Sequence, residues 1–148
     1  RPVQICALTY RPLKSAFWRE PIVVGRSNPR EDLVAVLEGG EARLKQGRSV
    51  IVFPQSTRSS VFDPAHFNTI GVKLAKRAGV PVIPVALKTD AWGNGNLLKD
   101  FGPVDVKKTI HFEFGAPMRI EGTGKAEHQQ ITEFIIDRLG VWGREIGE

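Results

Sequence analysis

Short apolar runs rich in β-branched residues alternate along this chain with segments whose apolar residues recur at helical spacing. The apolar runs occupy residues 3–10, 21–25, 49–53, 80–87 and 109–114. Helical spacing fills residues 28–46, 67–78 and 125–142. Such alternation is typical of an α/β layered domain, so we expect a central, largely parallel or mixed sheet flanked by helices.

Several of these segments carry their own boundary signals. Asn28, Pro29 and Glu31 predict a helix start, because they supply a cap, a proline at the first helical position and an acid three residues after the cap. Gly47 predicts the end of that helix. Gly39-Gly40 inside it is unfavourable, at about 1 kcal/mol per glycine relative to alanine.

Two strands carry further expectations. Pro81 and Pro84 lie within residues 80–87, and proline brings no backbone N–H to a sheet. We therefore expect that strand to lie at an edge or to contain breaks. Residues 109–114 alternate between apolar and polar side chains, which predicts a strand with one wetter face.

Length and composition favour one globular domain. The chain has 148 residues, of which 41% are hydrophobic and 25% charged. Its 21 Lys and Arg against 16 Asp and Glu give a net charge of +5, which suits an anionic substrate or an anionic membrane surface. No run of Lys and Arg exceeds two residues, so nucleic acid is not expected as a partner. Cys6 is the single cysteine, so neither an intrachain disulfide nor a thiolate metal site is expected.

Residues 49–60 combine an apolar strand with a polar loop that carries a single arginine, Arg58. Pro54 is expected to end the strand. A strand that runs into a polar loop places polar groups at the edge of an α/β sheet, where ligands usually bind. The alternative is an ordinary strand and turn with a solvated arginine.

The loop also carries a family resemblance. Phe53-Pro54-Gln55-Ser56-Thr57-Arg58-Ser59 resembles the third sequence block of the glycerolipid acyltransferases, the 1-acylglycerol-3-phosphate acyltransferase family, which reads Phe-Pro-Glu-Gly-Thr-Arg-Ser. Residues 22–28, an apolar strand closing on Arg26, are similar to the second block, and residues 80–86 to the fourth. Three blocks agree in order and spacing over roughly residues 17–86. The resemblance implies a glycerol-phosphate acyltransferase-like fold.

Members of that family transfer a fatty acyl group from acyl-CoA or acyl carrier protein to a glycerol hydroxyl. The resemblance implies a lysophospholipid acceptor, no cofactor and no metal, and a location at the cytoplasmic face of a membrane, peripheral or anchored by sequence outside this chain. It implies that Arg26 and Arg58 clamp the acceptor phosphate, since a guanidinium donates two parallel hydrogen bonds. The remaining members of the implied acceptor-binding set are Gln55, Ser56, Thr57 and Ser59.

The family's first block, His-x4-Asp, is missing. It supplies the general base and the carboxylate that orients it. The residues five positions after His66, His111 and His128 are Gly71, Ala116 and Glu133. We therefore expect the 148 residues of this chain to be the C-terminal part of an acyltransferase domain truncated upstream of Arg1, and to be inactive alone. The three histidines are predicted to lie in a loop, a strand and a helix surface.

Gln55-Ser56 also departs from the family pattern, which has Glu-Gly. Glutamine removes a negative charge and keeps an acceptor oxygen, while serine adds a Cβ. The sequence therefore leaves three alternatives for the acceptor: lysophosphatidic acid, another lysolipid or an amine-bearing molecule.

Other function classes fit the sequence less well. Ser59, Ser60, Asp63 and His66 lie close together, but the Gly-x-Ser-x-Gly elbow of a serine hydrolase is absent. Gly93-x-Gly95 lacks the strand–helix setting of a nucleotide loop, and no cluster of metal ligands is present. The remaining alternative is a catalytically inactive, lipid- or anion-binding acyltransferase-like remnant.

Overall fold

The structure is a computed structural model that describes residues 5–8, 22, 28–55, 61–89, 91, 103–143 and 146–147. Its strands are β1 (Ile5–Leu8), β2 (Val50–Val52), β3 (Val82–Lys88) and β4 (His111–Phe114). Its helices are α1 (Pro29–Lys45), α2 (Ile70–Ala78) and α3 (Lys125–Val141), with a 3-10 turn at Pro64–His66. The strand predicted at residues 21–25 lies outside the described residues except for Ile22, which is not in a strand.

The four strands form one sheet in the order β2-β1-β3-β4, and its three ladders are antiparallel. The expectation of a largely parallel or mixed sheet is therefore wrong for the described strands. β2 and β3 do run in the same direction and are joined through α2, but β1 lies between them. Alternation of strands and helices predicts parallel neighbours only where each helix brings the chain back beside the strand it has just left. Residues 9–27 separate β1 from α1, so this condition need not hold for β1 and β2.

All three helices pack on one face of the sheet. Val50 and Val82 both pair with Leu8 across the ladders, so they lie on the same face. A single buried cluster joins them to side chains from each helix, namely Leu44, Leu74, Ile131, Ile135 and Leu139. The predicted flanking by helices is confirmed for this face.

Helix α1 begins and ends where the sequence predicts. The Asn28 side-chain oxygen accepts a hydrogen bond from the Arg30 N–H at 3.1 Å, and the Asn28 amide nitrogen donates to Glu31 Oε1 at 2.8 Å. The first bond satisfies a backbone donor that a helix start leaves unpaired, and the second joins the cap side chain to the first turn. The helix ends at Lys45, and Gly47 follows it.

The glycine pair inside α1 has a packing reason. A Cβ added to Gly40 would lie 2.6 Å from Leu74 Cδ2 of α2, closer than side chains tolerate. Gly40 therefore lets α1 approach α2. Arg77 Nε donates to Glu41 Oε2 at 2.6 Å and links the same two helices.

The sequence predicted an edge position or breaks for β3, but β3 is one strand that lies between β1 and β4. Val82 exchanges both backbone hydrogen bonds with Met118, whereas the Pro84 carbonyl accepts from the Gly115 N–H at 2.8 Å. From Val82 to Pro84 is two residues along β3, whereas from Gly115 to Met118 is three along the partner segment. The extra residue on the partner segment makes this a β-bulge. A bulge tolerates a proline without an N–H, so Pro84 fits inside the sheet.

Strand β4 alternates as predicted, but its phenylalanines lie on the wetter side. Phe112 and Phe114 are 50% and 59% exposed, while His111 and Glu113 are half-buried. Helix α3 packs over the polar side: His111 stacks on Trp142 with ring centroids 5.1 Å apart, and Arg138 Nε lies 3.5 Å from Glu113 Oε1.

The two remaining helices match their patterns closely. α2 begins at Ile70 instead of near Phe67, and Gly79 caps its C-terminus as predicted. In α3, Ile131, Ile135 and Leu139 are fully buried, as their spacing predicts.

Candidate functional site

The candidate site begins where β2 leaves the sheet. Val50 and Val52 are buried in the core, and β2 ends at Val52. Phe53 and Pro54 continue outside the ladder, as expected from the proline, and Pro54 is fully buried. Gln55 follows and is half-buried. The chain therefore leaves the core after Pro54, and Gln55 is the last residue described before the motif loop.

Of the six predicted acceptor-binding residues, Gln55 is the one that the structure describes. Arg26, Ser56, Thr57, Arg58 and Ser59 lie outside the described residues. The structure therefore describes the two flanks of the motif loop, residues 53–55 and residues 61–69. These flanks determine where the loop leaves the core and where it returns.

Asn68 holds the first flank. Its backbone N–H donates to the Pro54 carbonyl at 3.4 Å, and its side-chain Nδ2 donates to the same oxygen. Its Oδ1 accepts from the Ile70 N–H at 3.0 Å, at the start of α2. The sequence patterns did not indicate Asn68 as part of the site. Its closeness to a predicted helix start was a signal for capping, but nothing local indicated a bond to Pro54.

Phe62 holds the second flank. Its side chain is fully buried, and its ring meets the Phe67 ring edge-on with centroids 5.6 Å apart. The Phe62 carbonyl accepts from the Gly147 N–H at 2.7 Å, and Phe62 forms a parallel bridge with Ile146. Ile146 and Gly147 thus lie beside Phe62, where the chain re-enters the core after the motif loop.

His66 and Asp63 form a pair within this flank. His66 Nδ1 lies 2.6 Å from Asp63 Oδ2, and Asp63 Oδ1 accepts from the Ala65 N–H at 2.8 Å. The hydrogen bond with His66, and then the one from Ala65, hold the pKa of the Asp63 carboxyl below its ordinary value. The His66 side chain is 76% exposed, and the pair is explained by capping of the 3-10 turn.

His128 lies in the first turn of α3 and is more buried than the helix-surface position predicted for it. Its ring stacks on Phe67 with centroids 5.5 Å apart. Burial lowers the pKa of His128, and a hydrogen bond with the Phe67 backbone acts in the opposite direction. Glu133, the residue at the family's carboxylate spacing, accepts instead from Gln129 Nε2 at 2.8 Å.

Other features of the described ranges do not add to the site. No three His, Cys, Asp or Glu side chains within them are grouped to hold a metal ion. None of their helices has both the length and the apolar content that a membrane crossing requires. An open depression of about 390 Å³ runs along α1, lined by Arg30, Glu31, Val34, Ala35 and Glu38.

Comparison with known proteins places these residues in a family. The sequence model of the family described as Acyltransferase matches residues 7–88, which include the motif and both flanks. The chain is similar to the 1-acyl-sn-glycerol-3-phosphate acyltransferase of Pseudomonas aeruginosa, with 33% identity over 105 residues, or 71% of this chain and 39% of that protein. It is also similar to the 1-acyl-sn-glycerol-3-phosphate acyltransferase of Cocos nucifera, with 29% identity over 86 residues, or 57% of this chain and 28% of that protein.

The chain therefore spans well under half the length of these curated relatives. No solved structure gives a significant match.

Proposed function

The chain belongs to the Acyltransferase family, and we propose that its protein acylates a lysophospholipid such as 1-acylglycerol-3-phosphate. The acyl donor is acyl-CoA or acyl carrier protein, and the reaction serves phospholipid biosynthesis or remodelling. The observation that carries the proposal is the motif of residues 53–59, which follows a core strand inside the matched region. The names of both similar proteins support a lysophosphatidic acid acceptor.

The reaction has two requirements. The acceptor hydroxyl oxygen bonds to the thioester carbonyl carbon, the carbon–sulfur bond breaks, and the thiolate leaves. The hydroxyl proton passes to a general base as the oxygen attacks. The acceptor must also be held with its hydroxyl beside the thioester, since positioning accounts for a large part of the rate.

Residues of this chain serve the second requirement. In our proposal Arg26 and Arg58 hold the acceptor phosphate through paired, charge-assisted hydrogen bonds. Thr57 and Ser59 donate hydroxyl hydrogen bonds, and Ser56 completes the loop. Gln55, which follows the fully buried Pro54, offers an amide in place of a carboxylate, so it adds no negative charge beside a phosphate.

The general base lies outside these 148 residues in our proposal, because no His-x4-Asp occurs among them. The protein acts at the cytoplasmic face of a membrane, where lipid acceptors are found, as a peripheral protein or through an anchor elsewhere in its sequence. The absence of the pair also supports a second candidate, an anion-binding protein of this family that has lost catalysis.

Acyl transfer by the native protein separates the two candidates. The protein is incubated with lysophosphatidic acid and one of two donors, acyl-CoA or acyl carrier protein that carries the same fatty acyl group. Phosphatidic acid is then measured by mass spectrometry. We expect product with one donor or both. Saturable binding of lysophosphatidic acid without product would favour the anion-binding candidate, and the absence of both would contradict the proposal.

A further inference from the structure

Asn68 joins the end of the motif strand to the beginning of the next helix. Its backbone N–H and side-chain Nδ2 both donate to the Pro54 carbonyl, while its Oδ1 accepts from the Ile70 N–H. Pro54 and Asn68 are 14 positions apart in sequence, so this is a tertiary contact and not part of one turn. One exposed side chain therefore connects two elements on either side of the motif loop.

The Pro54 carbonyl controls the direction in which the motif begins. A peptide unit is planar, and in its trans form the C=O and the following N–H point in opposite directions. No cis peptide bond occurs in the described residues. Donors from Asn68 hold the Pro54 oxygen toward α2, so they also turn the Gln55 N–H away from α2. The orientation of the first motif peptide beyond the core thus depends on Asn68.

The position of Asn68 is itself fixed by its neighbour. Phe67 is buried, with its ring edge-on to the fully buried Phe62 and stacked on His128. Phe67 therefore anchors the backbone from which Asn68 reaches Pro54. Asn68 is exposed, so replacing it removes polar contacts without opening a cavity in this cluster.

We propose that Asn68 is a positioning residue for the acceptor-binding loop, holding the Pro54–Gln55 peptide so that Gln55 faces the acceptor phosphate. The proposal deepens the function given above and rests on it. In this role Asn68 contacts neither the acceptor nor the donor. It acts through the backbone of Pro54, so its loss affects acceptor binding and leaves the reaction step unchanged.

Two substitutions test this role in the native, full-length protein. Asn68→Ala removes the side chain. Asn68→Asp keeps the acceptor for the Ile70 N–H but turns an oxygen toward the Pro54 oxygen, so it breaks only the side-chain bond to the motif strand and leaves the backbone N–H bond in place. Thr69→Ala is the matched control, because Thr69 precedes α2 without a side-chain cap bond.

We expect both Asn68 variants to raise the KM for lysophosphatidic acid by about two- to tenfold, the range for one lost hydrogen bond. The kcat and the KM for acyl-CoA should remain as in the wild type, and Asn68→Asp should melt close to the wild-type temperature. Thr69→Ala should change none of these. A purely stabilising role would lower the melting temperature without a selective change in acceptor KM, and that pattern would overturn the proposal.

Hydrogen–deuterium exchange provides a readout that does not depend on catalysis. Backbone amides of residues 55–60 should exchange faster in both Asn68 variants than in the wild type and in Thr69→Ala. A wild-type protein without activity would refute the proposed function, and faster exchange would then still support the anchor at Pro54. Unchanged exchange in Asn68→Asp would overturn the inference whatever the activity.

Discussion

At the scale of single residues, His128 shows how packing shifts the pKa of one side chain. Its ring stacks on Phe67, and burial lowers its pKa below the ordinary value of 6.5. The unfolded chain therefore binds this proton more readily than the folded chain. As the pH falls through 6.5 toward the folded-state pKa, the folded protein loses stability relative to the unfolded one.

His128→Gln should weaken this dependence, because glutamine does not titrate. The free energy of unfolding is measured by chemical denaturation at about pH 7.5 and about pH 5.5, on either side of the ordinary histidine value. We expect the wild type to lose more stability between the two values than the variant. Equal losses would show that burial of His128 does not govern this part of the pH profile.

Gln55 offers a second residue-scale prediction. Gln55→Glu restores the carboxylate of the family pattern but adds a negative charge beside the proposed phosphate. We expect the ratio of kcat/KM for lysophosphatidic acid to that for an uncharged monoacylglycerol to fall, by about tenfold if the charge costs about 1.4 kcal/mol. An unchanged ratio would mean that residue 55 does not determine acceptor choice.

The residues that could be predicted are those whose partners lie nearby in sequence. Asn28 bonds to groups two and three positions away, so the sequence alone indicated its capping role. Asn68 reaches Pro54 across 14 positions, and no periodicity encodes such a contact. The motif residues were identified by family resemblance, since local chemistry left a solvated arginine as an equal alternative.

At the scale of elements, the contact between α1 and α2 depends on a glycine. Gly40→Ala should destabilise the protein by about 1–3 kcal/mol, the usual cost of overpacking, because its Cβ would meet Leu74 at 2.6 Å. Gly39→Ala is the matched control on the same helix. Its Cβ would meet the Arg43 guanidinium at 3.2 Å and Ile22 at 3.3 Å, and the helix would gain up to about 1 kcal/mol from alanine.

The two variants are compared by their free energies of unfolding in urea. We expect Gly40→Ala to unfold at lower urea than the wild type, and Gly39→Ala at the same or higher urea. Equal effects of the two substitutions would contradict the close approach of α1 to α2 at Gly40.

Element positions were predictable where caps and periodicity define them, and the sheet was not. Whether neighbouring strands are parallel depends on the order of the strands in the sheet. Alternation along the sequence does not encode that order, so it did not reveal that β1 lies between β2 and β3. In β4 the alternation was correct, but its phenylalanines are exposed because α3 packs over the polar side. The position of Pro84 inside the sheet depends on a bulge formed with Gly115 and Met118, which are distant in sequence.

At the scale of the whole molecule, these 148 residues contain the proposed acceptor loop without the proposed base. We therefore expect a protein limited to them to form no phosphatidic acid from lysophosphatidic acid and acyl-CoA. The same assay on a protein that also contains a His-x4-Asp block should give product. Transfer by the 148 residues alone would require a base among His66, His111 and His128, and would contradict our assignment.

The kinetics of Arg58→Ala test whether the motif loop holds the acceptor phosphate. Arg119→Ala is the control. Arg119 is exposed and follows Met118, which pairs with the first residue of β3, at the end of the sheet opposite Gln55.

We expect Arg58→Ala to lower kcat/KM for lysophosphatidic acid by about thirtyfold or more, since losing one partner of a buried charged pair costs about 2–5 kcal/mol. The donor KM should not change, and Arg119→Ala should behave as the wild type. Unchanged acceptor kinetics in Arg58→Ala would contradict the clamp and, with it, the proposed use of the motif loop.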